Sequence, residues 1–180
     1  MEKTISPAKS TLQYGALFGI IMILELVISF SFNISPENNK AYGICINIIN
    51  FLVLPISLIV IGCNNYKNKL NQGFISFSEA LKIGVTICVI AALIYSIFFV
   101  IFNMIFPEFM ENILRQTRQA LMKQSPDMPK EQFEMAMSMT KTMMQPAVIV
   151  PVTIIMYAFI GLIYSLIIGA IVKQERPTGY

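Results

Sequence analysis

The stretch "AVIVPVTIIMYAFIGLIYSLIIGAIV", residues 147–172, contains no charged side chain. A helix needs roughly 20 predominantly apolar residues to cross the hydrocarbon of a bilayer, and this run is long enough. Composition points the same way. The chain has 180 residues, 56% hydrophobic and 13% charged, whereas an average soluble domain is about 25% charged. Too few polar groups remain to cover a water-facing globule, so the sequence reads as one membrane domain.

Three further stretches have the length and apolarity of a crossing. The expected spans are residues 12–32, 42–63, 80–106 and 146–172. Pro55 lies inside the second and predicts a kink, because it removes a backbone donor and crowds the preceding turn. The first run is long enough to span and lacks a small-x-small cleavage site, so no cleavable leader is expected. Between the third and fourth spans, residues 107–145 predict a helical hairpin outside the bilayer. "PEFMENILRQTRQALMKQ" places Phe109, Ile113, Leu114 and Leu121 near one helical face, with Pro107 in the first turn. "SPDMP" interrupts it, and a second helix runs from near Pro129 to Pro146. The fold class is all-α, a four-helix transmembrane bundle with an amphipathic hairpin between spans three and four.

Charge placement orients the chain. With both termini in the cytoplasm, Lys3, Lys9, Lys67, Lys69, Lys82, Lys173 and Arg176 lie inside. Lys40, Arg115, Arg118, Lys123, Lys130 and Lys141 then lie outside, most of them mid-loop and far from span ends. Basic residues near span ends set orientation, which places both termini inside. "GFISFSEALKIG", residues 73–84, opens span three with Ser76 and Glu79 at capping-box spacing.

Lipid tails are as apolar as leucine, so spans associate through close packing and interhelical hydrogen bonds. Small residues recur at four-residue spacing on one helical face: Gly15 and Gly19, then Gly84, Cys88 and Ala92, then Gly161, Ser165 and Gly169. In the favoured orientation all three sets fall mainly in the inner half. The expectation is a tight inner half and a looser outer half.

Glu25 interrupts the first span. One acidic residue near mid-bilayer costs about 2.5–3.5 kcal/mol, which its apolar neighbours outweigh, but locally it must be neutral, paired or facing water. It lies roughly 4–5 Å outward of its span's midpoint at a rise of about 1.5 Å per residue. Asn50, Tyr95, Ser96 and Tyr157 fall at a similar depth on the other spans. These residues form a candidate intramembrane polar site, either for a proton or cation or as hydrogen-bond glue between helices.

Other chemistry finds little support. There is no histidine, which removes the usual general base and the commonest metal ligand. No GxSxG, phosphate-cradling glycine loop or paired-carboxylate constellation occurs, so neither an enzyme nor a cofactor is expected, and the small net charge of +3 forms no basic stripe for nucleic acid. Cys45, Cys63 and Cys88 are widely spaced and read as free thiols. Met135, Met137 and Met139 form a thioether cluster of a type that ligates copper, but alternate residues of a helix face different ways. Packing is the better reading.

The order and spacing of "YGALFG", "GFISFSEALKIG", "PEFMENILRQTRQALMKQ" and "IGLIYSLIIGAIVKQ" resemble domain-of-unknown-function family 4199 over nearly the whole chain. That resemblance implies a small four-span protein of the bacterial cell (inner) membrane and brings no catalytic or binding residues. The leading functional expectation is a non-enzymatic membrane role, with assembly onto partner proteins through the hairpin or as a homo-oligomer. The alternative is a proton-coupled small-molecule transporter that acts as an oligomer through Glu25.

Overall fold

A computed structural model describes residues 6–34 and 39–176. Lys3 and the centre of the first connection lie outside them. The helices are α1 (Pro7–Ser10), α2 (Leu12–Ser31), α3 (Lys40–Ile48), α4 (Leu54–Asn65), α5 (Phe77–Ile105), α6 (Pro107–Gln124), α7 (Lys130–Met143) and α8 (Pro146–Val172). Two π-helical segments, Ile49–Val53 and Tyr66–Leu70, join α3 and α4 into one rod and extend it. Four helices are long and apolar enough to cross a membrane: Leu12–Ser31, Lys40–Leu70, Phe77–Ile105 and Pro146–Val172. The chain is an all-α, multi-pass membrane protein. Four crossings bring both termini to one end of the bundle, here the terminal end, and α6 and α7 to the other, the hairpin end.

Two helix ends differ from the sequence expectation, for one reason. An apolar window marks the part of a helix that lipid surrounds, whereas hydrogen bonds mark where the helix stops. The second crossing continues past residue 63 to Leu70, and Lys67 Nζ there donates to the carbonyl of Val172 at 3.1 Å. The third begins at Phe77 because its capping box lies ahead of the apolar run. Glu79 N–H donates to Ser76 Oγ at 3.2 Å, and Ser76 N–H donates to Glu79 Oε2 at 2.7 Å.

Helix α5 is the centre of the bundle, packing most extensively on α8 and then on α2. Small residues allow both approaches. A Cβ added at Gly84 would lie 2.6 Å from Ser165 Cβ, and one at Gly161 would lie 2.8 Å from the Gly84 carbonyl oxygen and 2.9 Å from Cys88 Cβ. Gly15 and Gly19 sit in the same way against Ile90 and Ile94, and Gly169 against Ala80 and Phe77. Ala92 is fully buried in the same core. Ser165 returns its hydroxyl to the Gly161 carbonyl, so a polar side chain is buried without an orphaned donor.

Burial is lopsided along the membrane normal. In α2 the buried residues are Gly15, Phe18, Gly19 and Met22, with none beyond the middle of the helix. In α8 they are Tyr157, near the middle, and Gly161, Ser165, Ile168 and Gly169, all in the second half. Both sets lie toward the terminal end. At the hairpin end an aromatic cluster takes over. The Phe30 ring lies 5.2 Å from Phe102, 5.2 Å from Phe106 and 5.7 Å from Phe109, centroid to centroid. Phe109 thereby fastens the start of α6 to the bundle. The rest of the hairpin is shallow: α6 and α7 bury no residue, and Ile113, Leu114 and Leu121 are half-buried. Arg118 stacks over the Phe133 ring at 5.6 Å and joins the two helices.

Candidate functional site

The site begins with a missing hydrogen. Pro55 has no N–H to give to the preceding turn. The helix widens there, and the N–H of Leu54 reaches back five residues to the Ile49 carbonyl. The carbonyl of Phe51 instead accepts the Tyr164 hydroxyl at 2.8 Å, from across the bundle on α8. The expected kink is thus a π-helical segment, a form that often appears at functional sites, and Asn50 lies within it.

Asn50 is buried. Its Nδ2 donates to Glu25 Oε2 at 2.5 Å and to the Ile46 carbonyl at 3.2 Å, while its Oδ1 is buried without a donor. Asn50 is the one hydrogen-bond partner of the Glu25 side chain among the described residues. Beside this pair lies an open chamber of about 350 Å³. It exists because α3 makes only sparse contact with the other helices, which leaves a gap at the hairpin end of the second crossing.

The chamber walls come from five segments: Met22, Glu25 and Ser29 of α2; Tyr42, Asn47, Asn50 and Phe51 of the second crossing; Tyr95 of α5; Phe109 of α6; Thr153, Met156 and Tyr157 of α8. No Lys or Arg is among the described lining residues. Tyr157 makes a T-shaped contact with Phe18 at 5.7 Å and stacks on Phe51 at 5.8 Å, centroid to centroid. Chemically the described lining residues offer one carboxyl group, several hydroxyl and amide groups and aromatic rings. That set can take up or release a proton and hold a cation. Among the described lining residues there is no paired acid and base and no nucleophile–base couple.

Of the residues singled out from sequence, Glu25, Asn50, Tyr95 and Tyr157 line this one chamber. Ser96 does not. It is buried beside Tyr95, a turn of about 100° away on the helix, with its Oγ unpartnered. Tyr42, Asn47, Phe51, Phe109 and Thr153 escape sequence reasoning. Two carry a usable signal, since Asn47 precedes Asn50 by three residues and Thr153 precedes Tyr157 by four, which places each pair on one face. Phe109 carries none, because it arrives from the hairpin.

The remaining candidates are structural in arrangement. Helix α7 is unbroken through Met135, Met137 and Met139; the first and third are exposed and the second is half-buried. Cys63 and Cys88 are buried free thiols, and Cys45 is an exposed one. A second cavity, of about 470 Å³, lies at the terminal end beside Glu79 and Arg176. Two of its charged groups, Glu79 and Arg176, are already engaged. Glu79 accepts from Ser76 N–H and, at 2.9 Å, from the Tyr66 hydroxyl, and Arg176 donates to Asn71 Oδ1 at 2.9 Å. No cluster of three or more His, Cys, Asp or Glu side chains suited to a metal ion occurs among the described residues.

A family model described as "Protein of unknown function (DUF4199)" matches residues 13–174. The chain belongs to this family. The match takes in all four crossing helices and the hairpin, so the DUF4199 range covers every element that builds the chamber. The DUF4199 description carries no activity and no residue roles. Comparison with curated proteins and with solved structures returned no match.

Proposed function

We propose that this chain is a non-enzymatic membrane protein that takes up a small molecule in the Glu25 chamber in exchange for a proton. Both termini face the cytoplasm of a bacterial cell, and Glu25 is the group that changes protonation. The supporting observation is the space itself. Hydrogen-bond glue between α2 and the second crossing would account for the Glu25–Asn50 bond, but glue needs no 350 Å³ chamber beside it. An ionisable side chain inside a membrane usually faces a bundle interior or a cavity and marks a pathway for ions or substrates.

The test is reconstitution in vesicles loaded with a pH-sensitive dye, together with infrared titration of the Glu25 carboxyl. Glu25→Gln retains an acceptor for Asn50 Nδ2 and removes the ionisable group. Wild-type vesicles should show a dye response to added solutes, and Glu25→Gln vesicles should show none. A carboxyl that never ionises, combined with a variant that alters only stability, returns Glu25 to the role of glue.

The hairpin supports a second reading, assembly with a partner protein or another copy. Helices α6 and α7 bury no residue, and Met135, Met139 and Met143 are exposed. On that reading a partner co-purifies with the full chain from native membranes and is lost when residues 108–145 are deleted. Purification without any companion from native membranes counts against it.

A further inference from the structure

We propose that the chamber takes a protonated primary or secondary amine bearing a small aromatic or branched apolar body, entering from the lipid at the hairpin end beside α3. The inference rests on the chamber reading above and specifies its ligand.

Charge comes first. Among the described lining residues there is one carboxyl group and no Lys or Arg. Whatever displaces the proton from Glu25 therefore has to bring positive charge, since an anion or a neutral guest would leave a bare carboxylate in a low-dielectric space. Hydrogen-bonding capacity comes second. Glu25 Oε2 is bonded to Asn50, and no described residue donates to Oε1. The carboxyl group has an acceptor to spare, so the positively charged guest should also carry a hydrogen-bond donor. An ammonium with attached hydrogens does this, and a fully alkylated one does not.

The walls specify the remainder of the molecule. Tyr42, Phe51, Tyr95, Phe109 and Tyr157 line the same chamber as the carboxyl, and aromatic rings attract a cation through their faces and an apolar body through dispersion. A volume of about 350 Å³ is at the small end of ligand pockets, enough for one ring and a short chain. The route follows from exposure. Asn47 and Met156 line the chamber and are also exposed, on α3 and α8, and α3 packs only sparsely on its neighbours. The chamber therefore opens sideways, where an amphiphilic amine partitions into the leaflet.

The full-length protein in nanodiscs tests this with four probes of similar shape: phenethylamine, phenethyltrimethylammonium, phenethyl alcohol and hydrocinnamate. Phenethylamine should bind roughly tenfold or more tighter than the trimethylated cation and the alcohol, and hydrocinnamate should not bind. Glu25→Gln should weaken the amine at least about tenfold, and Thr153→Leu, which fills the chamber from another helix, should do the same. Equal binding of the trimethylated cation, or of the alcohol, overturns the proposal. Undiminished binding in both variants overturns it together with the chamber reading. If no amine binds while Glu25-dependent proton flux persists, the ligand class is wrong and the chamber reading stands.

Discussion

The two halves of the bundle solve the problem of folding in lipid in opposite ways. Toward the terminal end, α2, α5 and α8 meet through glycine, serine, cysteine and alanine, with backbone close enough to backbone that no added Cβ fits at Gly84 or Gly161. Toward the hairpin end the same helices meet large side chains. A phenylalanine cluster and a chamber occupy the space, and polar contacts bridge what packing leaves open. Dispersion between close-packed surfaces is the main attraction available between helices in a membrane, so the terminal half carries the stability. The hairpin half is freed for a polar cavity that a close-packed interface would exclude.

The sharpest way to break this comparison is to add bulk to each half in turn. Gly84→Leu forces a side chain against Ser165 across the α5–α8 contact and should cost about 3 kcal/mol or more, since overpacking a tight contact displaces backbone. Thr153→Leu places its extra bulk in the chamber and should change stability by less than about 1 kcal/mol. Melting temperatures in one detergent compare the two directly. Equal losses would mean that the chamber wall is as rigid as the glycine contact.

The next effect concerns the hairpin's anchor. Phe109 touches Phe30, Phe99 and Phe102 and is also part of the chamber wall. Phe109→Ala should cost about 1–2 kcal/mol, below the value for a fully buried ring because the site is only half-buried. Amide exchange should quicken across α6 and α7 and stay unchanged in the terminal half. Loss of protection throughout α5 would show that the two halves unfold as one unit.

A smaller effect belongs to the polar bridge. A double-mutant cycle between Glu25→Leu and Asn50→Leu should give a coupling of about 1 kcal/mol, in the range measured for hydrogen bonds between membrane helices. A coupling near zero would mean that the 2.5 Å contact contributes no stability to the loose half.

How much of this is legible in the sequence follows the same division. The small-residue stripes are a property of single helices at fixed spacing, so Gly15, Gly84 and Gly161 can be read without knowing their partners. Glu25, Asn50, Tyr95 and Tyr157 share a depth, and depth follows from counting residues at a fixed rise. Direction does not follow from depth, which is why depth alone groups Ser96 with Tyr95 although Ser96 lies off the chamber. Phe109 and the sparse packing of α3 are out of reach, because both depend on how the hairpin and second crossing settle against the other helices. Hydropathy misplaces the ends of the second and third helices because lysine, asparagine and serine continue a helix after the apolar run has stopped.

The smallest effect tests the link between the halves. Tyr164 lies one residue before Ser165 in the packed half, and its hydroxyl reaches the Phe51 carbonyl next to the chamber wall at 2.8 Å. Tyr164→Phe should cost only about 0.6 kcal/mol, because the chain unfolded within the membrane also finds partners for such groups. The informative variant is the same change in a Pro55→Ala background. Alanine restores the N–H that Pro55 lacks, and that N–H can satisfy the preceding turn within the helix. The Tyr164→Phe penalty should then shrink toward zero, and the π-helical segment should tighten toward ordinary α-helix around Asn50. Tightening would also turn Asn50 relative to Glu25, so the Glu25–Asn50 coupling should fall in the same protein. A penalty that survives unchanged in the Pro55→Ala background would mean that the hydroxyl serves lipid or packing instead of the freed carbonyl, and the proline would then have no part in shaping the chamber.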